Sequence, residues 1–214
     1  MTNQVTMAPP GDLEVALAAL RRGDTIVYPT ETFYGLGARA LAAPAVDAVA
    51  ALKGRDASKP IALIVRDAAM MMRVVARVPA AAERVMARCW PGPLTLVLPA
   101  RPDLPPALTG GSGWIGVRVS SHPAAQALVA ELGEPITATS ANPGGDAPAL
   151  DVATARGYFA ARVSAYLDGG TLAGGLGSTV LLVADDAARV IRRGATPIDE
   201  LEQALGATPI HFQS

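Results

Sequence analysis

Apolar residues recur in two rhythms along this chain, and the rhythms trade places from one end to the other. From Asp12 to Arg22, Leu13, Ala16, Leu17 and Leu20 share one face of a 3.6-residue repeat, which predicts a helix closed by Gly23. Thr25–Tyr28 then reads as a strand. Helices are predicted over Pro44–Leu52, with proline in its first turn, and over Pro79–Cys89, Pro123–Leu132, Val152–Val163 and Ile198–Leu205. Apolar runs at Ile61–Val65, Leu94–Leu98, Ile115–Val119, Pro135–Thr139, Thr179–Val183 and Arg189–Ile191 predict strands, the last two around an Asp-Asp turn. Asp67 is placed to cap a short helix. Trp90-Pro91-Gly92-Pro93 stops the helix before it, and the Pro- and Gly-rich segment 99–113 reads as a surface loop. The alternation lacks strict βαβ regularity. The expected fold class is therefore α/β: a single domain over 12–206, built on a twisted mixed parallel and antiparallel sheet flanked by helices. Residues 1–11 and 207–214 read as tails.

Composition narrows the function classes. Half of the 214 residues are hydrophobic and 17% are charged, so a folded core is expected rather than disorder. The formal net charge of −1 weighs against a broadly basic nucleic-acid binder, although a local basic groove stays open. Cys89 is alone, which rules out an internal disulfide, and it reads as a small buried hydrophobe. With His122 and His211 as the two histidines, no zinc-type ligand set is available. The first residues carry neither the basic start nor the apolar core of a signal peptide, and no apolar run nears the roughly 20 residues of a membrane span. A cytoplasmic protein without membrane association is expected.

Candidate chemistry concentrates in short polar segments. Tyr28-Pro29-Thr30-Glu31-Thr32-Phe33-Tyr34-Gly35-Leu36-Gly37 leaves a strand with hydroxyls, a carboxylate, aromatics and two glycines. Glycine lets a backbone approach a ligand closely, and Thr and Tyr supply hydrogen bonds above it. Lys53, Arg55 and Lys59 cluster at a predicted helix end; they read either as solvated charges at the helix dipole or as a polyphosphate clamp. Arg118 interrupts the apolar run Ile115–Val119. It either alternates out to solvent or needs a buried partner or a carboxylate ligand. Ser140-Ala141-Asn142-Pro143-Gly144-Gly145, Gly177-Ser178-Thr179 and Arg192-Arg193-Gly194 lie directly before or after strands, and each alone is an ordinary turn or surface feature. No glycine run ends in Lys-Ser or Lys-Thr, Gly35-Leu36-Gly37 lacks a third glycine, and no serine-centred nucleophile elbow is present.

In order and spacing, these segments resemble the YrdC-like family of threonylcarbamoyl-AMP synthases. The first signature is similar to Tyr28–Gly37, the second to Lys53-x-Arg55 with Lys59-Pro60, and the third to Trp90–Thr95. Val117-Arg118 with His122-Pro123 comes next, then Ser140-Ala141-Asn142, Gly177-Ser178-Thr179 and Ile191-Arg192-x-Gly194. The resemblance covers most of the chain and implies a twisted mixed sheet with a concave, positively lined face. It implies that Thr32, Arg118, Ser140 and Ser178 contact threonine. Arg55, Lys59, Asn142 and Arg192 would contact ATP together with Lys53, and Lys53 and Arg55 would be catalytic. The implied reaction converts L-threonine, bicarbonate and ATP, with Mg2+ carried in by the nucleotide, to threonylcarbamoyl-AMP and pyrophosphate. That product serves threonylcarbamoyladenosine modification of tRNA next to the anticodon. Expected partners are a tRNA-modifying transferase complex, with direct contact to tRNA left open. The rival class is a non-catalytic RNA-binding module of the same fold. The chain departs from the family pattern at Ser120, where proline is common, and at Trp114 and Leu150, where some relatives place hydroxyl residues near the nucleotide.

Overall fold

Two mixed sheets carry the fold in a computed structural model that describes residues 10–54, 59–185 and 187–212. The helices are α1 (Pro10–Arg22), α2 (Ala43–Lys53), α3 (Ala68–Met71), α4 (Ala80–Cys89), α5 (Pro106–Thr109), α6 (Pro123–Leu132), α7 (Val152–Phe159) and α8 (Ile198–Leu205). The strands are β1 (Ile26–Tyr28), β2 (Gly35–Gly37), β3 (Leu63–Ile64), β4 (Leu94–Pro99), β5 (Trp114–Arg118), β6 (Ile136–Thr137), β7 (Thr139–Ser140), β8 (Ala165–Tyr166), β9 (Thr179–Val183), β10 (Ala188–Arg192) and β11 (Ile210–Phe212). The larger sheet runs β11-β10-β9-β4-β5-β3-β6 and the smaller runs β7-β2-β1-β8. Parallel pairs (β4 with β9, β3 with β5, β1 with β8, β10 with β11) sit beside antiparallel ones.

Helices cover the sheets with their apolar stripes. The α1 stripe of Ala16, Leu17 and Leu20 is buried, and α1 packs on α6 and beside β8. Across the molecule α4 packs on α8, burying Ala81, Ala82 and Val85 against Leu201 and Leu205. Each fully buried leucine or isoleucine here contributes about 1.5–3 kcal/mol over an exposed one. Cys89 is buried at the end of α4. Burial, reinforced by the carboxylate of Glu200, pushes its thiol up to about 11, which leaves it an unreactive hydrophobe.

The two sheets meet at Thr137. The chain passes from β6 in one sheet to β7 in the other within three residues, so the run Pro135–Thr139, expected as one strand, is split between them. Thr137 is fully buried. Its hydroxyl donates to Leu36 O at 2.9 Å and accepts from Ala38 N at 2.9 Å, while its carbonyl accepts from Tyr28 Oη at 2.9 Å. Tyr28 lies flat over β2, where a Cβ on Gly37 would come within 2.8 Å of its ring. A side chain there would push the ring off the strand.

Several short elements differ from the sequence expectations. Gly35–Gly37 is a strand and not loop, because its backbone pairs with β1 at Ile26↔Gly37 and Tyr28↔Gly35. The helix expected to run to Val163 stops at Phe159 and tightens into a 3-10 turn over Ala160–Arg162. Segment 99–113 contains the one-turn helix α5. Residues 207–214, expected as a tail, include β11, which pairs along the edge of β10 with Arg193 stacked 4.8 Å over the Phe212 ring. Pro10 and Gly11, placed in the amino-terminal tail by the sequence, begin α1.

Candidate functional site

The loop between β1 and β2 is stiffened from within. Thr30 Oγ1 accepts from Thr32 N at 3.2 Å and Phe33 N at 3.3 Å and donates to Phe33 O at 2.7 Å, so one hydroxyl closes the turn. Tyr34 anchors its far side. The Tyr34 hydroxyl donates to Gly170 O at 2.7 Å and accepts from Gly169 N at 2.9 Å. Burial, with Asp168 nearby, pushes that phenol up to about 12, so it stays protonated. Glu31 and Thr32 are thereby held at a fixed height beside the end of β5.

Arg118 ends β5 and does not alternate out to solvent; only 6% of the residue is exposed. Its Nη1 lies 3.2 Å from Glu31 Oε1 and 3.4 Å from Thr32 Oγ1. The other oxygen of Glu31 accepts from Ser120 Oγ. The buried guanidinium therefore has a counter-ion, and further N–H groups remain for a ligand.

Lys53, at the last turn of α2, is also buried, and its Nζ reaches into the loop after β7. It donates to Ser140 O at 2.8 Å, to Asn142 O at 2.6 Å and to Asn142 Oδ1 at 3.0 Å. The amide of Asn142 donates in turn to Pro143 O at 2.8 Å and Asp146 O at 2.7 Å, and Gly144 N donates to Lys53 O at 2.9 Å. The Ser140–Asp146 loop is thus laced to the end of α2. Lys53 carries its charge into the site with its protons directed at this loop.

A third group sits on the larger sheet. Ser178 Oγ is 2.9 Å from Thr95 Oγ1, and Arg192 donates to Ser178 O at 2.8 Å and to Ser178 Oγ at 3.1 Å. Arg192 arrives by a register shift. Val190 and Arg192 face the consecutive residues Leu181 and Val180, which leaves Ile191 as the extra residue of a bulge. Plain alternation would send Arg192 to the core side with Val190; the bulge returns it to the side of Arg189 and Ile191. Gly194 lets the chain press against the segment that carries Ser178, since a Cβ there would collide with the backbone of Gly177, Ser178 and Thr179. Burial first, and the like charge of Arg118 second, lower the pKa of Arg192 from its ordinary value.

These groups converge on one cavity of about 950 Å³. Thr32, Arg118, Ser140 and Ser178 line it, as do Lys53, Lys59, Asn142 and Arg192. Arg55 lies outside the described residues. The described lining holds five cations, counting Arg189, and no carboxylate. Between the polar groups lies an apolar floor that includes Val97, Trp114, Val180 and Leu182, from alternate positions of β4, β5 and β9. Leu150 is not among the cavity-lining residues, and its side chain packs against Gly174. Sequence reasoning assigned no role to Thr95, Thr30, Tyr34 or Arg189, all of which line the cavity. Thr95 had a signal: it is the one hydroxyl in the apolar strand Leu94–Leu98, at a position that alternates with buried leucines. Among the described residues no cluster of three or more His, Cys, Asp or Glu could hold a metal ion, and no helix is long and apolar enough to cross a membrane.

Comparison with known proteins gives a consistent set of relatives. The Sua5/YciO/YrdC family model, described as "Telomere recombination", matches residues 18–194. A Bacillus subtilis protein named threonylcarbamoyl-AMP synthase is 35% identical over 212 residues, covering 99% of this chain and 60% of the relative. A protein of the same name from Thiobacillus denitrificans is 44% identical over 146 residues, 68% of this chain and 78% of the relative. Among solved structures, Pyrococcus abyssi Sua5 complexed with L-threonine superposes with a TM-score of 0.88 at 34% identity, over 93% of this chain and 58% of that one. The chain thus spans about three fifths of the Bacillus and Pyrococcus relatives.

Proposed function

The chain belongs to the Sua5/YciO/YrdC family, and from that premise we propose that it is an L-threonylcarbamoyladenylate synthase, a nucleotidyltransferase that converts L-threonine, bicarbonate and ATP to threonylcarbamoyl-AMP and pyrophosphate. The observation that carries this reading is the single cavity shared by a buried, counter-ion-held arginine and hydroxyls on one side and further cations on the other. An amino acid and a triphosphate need those two environments next to each other.

In this reading Arg118 forks the carboxylate of threonine, and Thr32, Ser140 and Ser178 receive its hydroxyl and amine end. The free amine of threonine attacks the carbon of bicarbonate; loss of hydroxide, neutralised by the proton the amine gives up, leaves a carbamate. A carbamate oxygen then attacks the α-phosphorus of ATP in line, the bond to the β-phosphate oxygen breaks, and pyrophosphate leaves. Mg2+ enters as part of the nucleotide substrate. Such a displacement needs alignment and charge neutralisation more than a protein nucleophile. Lys59 and Arg192 contact the phosphates, and Arg55, from its place in the sequence, joins them. Lys53 adds the field of its charge while its protons hold the Asn142 loop in place. The apolar floor beside Trp114 takes the adenine. The cations make the concave face positive.

The mixed anhydride product is reactive, so it passes quickly to a transferase complex that modifies adenosine next to the tRNA anticodon, in the cytoplasm. Pyrophosphate release from ATP tests the proposal. It should require both threonine and bicarbonate; release that ignores threonine refutes the substrate assignment, and RNA binding without any turnover favours a non-catalytic module.

A further inference from the structure

Behind the cavity wall stand two residues that the proposed reaction does not use. Thr32 and Arg118 face the cavity, whereas Glu31 and Ser120 lie behind them. The carboxylate of Glu31 lies between two partners: one oxygen forms an ion pair with Nη1 of Arg118 at 3.2 Å, outside hydrogen-bond geometry, and the other accepts from the hydroxyl of Ser120. Ser120 is fully buried and is itself fixed, since its Oγ accepts from His122 N at 3.2 Å and its carbonyl accepts from Gln126 Nε2 at 2.7 Å at the start of α6. The chain of contacts therefore runs from a rigid helix start, through a hydroxyl and a carboxylate, to one amino group of the guanidinium.

This arrangement has an electrostatic purpose. Arg118 and Arg192 line the same cavity. Two guanidiniums on one cavity repel, and an untethered Arg118 would turn away from Arg192. An anion paired with Nη1 offsets that repulsion, and the remaining N–H donors keep the fixed planar fork of the guanidinium. Glutamate is long enough to reach from the 29–34 loop, and a serine hydroxyl at position 120 can hold its second oxygen, which a proline could not.

We propose that Ser120 and Glu31 are positioning residues that orient the guanidinium of Arg118 for the carboxylate of an α-amino acid substrate. The assignment rests on the reading of Arg118 as the carboxylate fork. Neither residue touches the reacting atoms; both act through Arg118.

Steady-state kinetics of Glu31→Gln and Ser120→Ala, with threonine and ATP varied separately, test it. Glu31→Gln keeps the volume and removes the charge. The KM for threonine should rise about tenfold, while the KM for ATP and kcat at saturating threonine stay within about twofold. Ser120→Ala should move the same constant in the same direction by a smaller factor. In an Arg118→Ala background Glu31→Gln should add nothing, because its target is gone. An unchanged threonine KM, an equal rise in both KM values, or an undiminished effect without Arg118 overturns the proposal. Should Glu31→Gln fail to fold, Ser120→Ala decides by the same criteria. Wild-type turnover that ignores threonine would instead refute the functional reading and this role with it, whereas threonine-dependent wild type with unaffected variants refutes the role alone.

Discussion

The ammonium of Lys53 is hydrogen-bonded to both oxygens of Asn142, the main-chain carbonyl at 2.6 Å and the side-chain oxygen at 3.0 Å. The end of α2 and the loop after β7 are therefore one mechanical unit. Lys53→Met keeps most of the length and removes the donors, leaving buried acceptors unmet. The variant should lose about 3 kcal/mol of stability in urea denaturation. Its ATP affinity, read by calorimetry, should fall with the loosened loop; wild-type stability and affinity would show that the lacing is incidental.

The joint between the sheets makes a second prediction. Thr137→Val has nearly the same shape but can neither donate to Leu36 O nor accept from Ala38 N. Two buried backbone groups would lose their partners, at a cost of about 2–4 kcal/mol. Chemical denaturation measures it, and a loss no larger than that of a surface substitution would show that other groups carry the joint.

The two ends of the cavity should separate by substrate. Arg118→Ala removes the guanidinium held by Glu31, and threonine binding should weaken by a factor of about 100 with ATP binding little changed. Arg192→Ala, next to Ser178, should do the reverse. Isothermal titration of each ligand distinguishes them, and equal losses of both ligands in Arg118→Ala would deny it the carboxylate role.

His122 gives a pH dependence with a definite sign. Its Nδ1 accepts from Ala124 N at 3.2 Å, which puts the hydrogen on Nε2, buried and without a hydrogen-bond partner among the described residues. Burial lowers its pKa from the ordinary 6.5, opposed in part by the charge of Glu31. As pH falls through 6.5 the unfolded chain takes up a proton that the folded chain still refuses. The stabilisation from this residue is thus complete above 6.5 and is lost as pH drops toward the lower folded value. His122→Asn keeps a capping acceptor at the start of α6. It should lose less stability than wild type between about pH 8 and about pH 5.5, as measured by denaturation midpoints.

The range of each interaction decides whether it could be read from the sequence. The polar segments were legible because each packs its chemistry into a few consecutive residues: Thr30–Tyr34, Ser140–Asn142, Gly177–Thr179. The helices with a full apolar stripe, α1, α4, α6 and α8, were legible for the same reason. Elements of two or three residues such as β8 and β11 are too short to show a period, and they form because a neighbouring edge offers hydrogen bonds. The pairing of Glu31 with Arg118 joins residues 87 positions apart, which no local pattern encodes. The inward reach of Lys53 was equally hidden, since a cation at a helix end ordinarily faces solvent.

The extra residue at Ile191 sets two consecutive side chains, Ile191 and Arg192, along the same cavity. Deleting Ile191 would close the bulge and leave Arg192 next to Val190, still opposite Val180 and still on the side of Arg189, so only the apolar neighbour would be lost. Loss of that one position would therefore spare the guanidinium, whereas pairing the same residues without the bulge would turn it toward the packed interior.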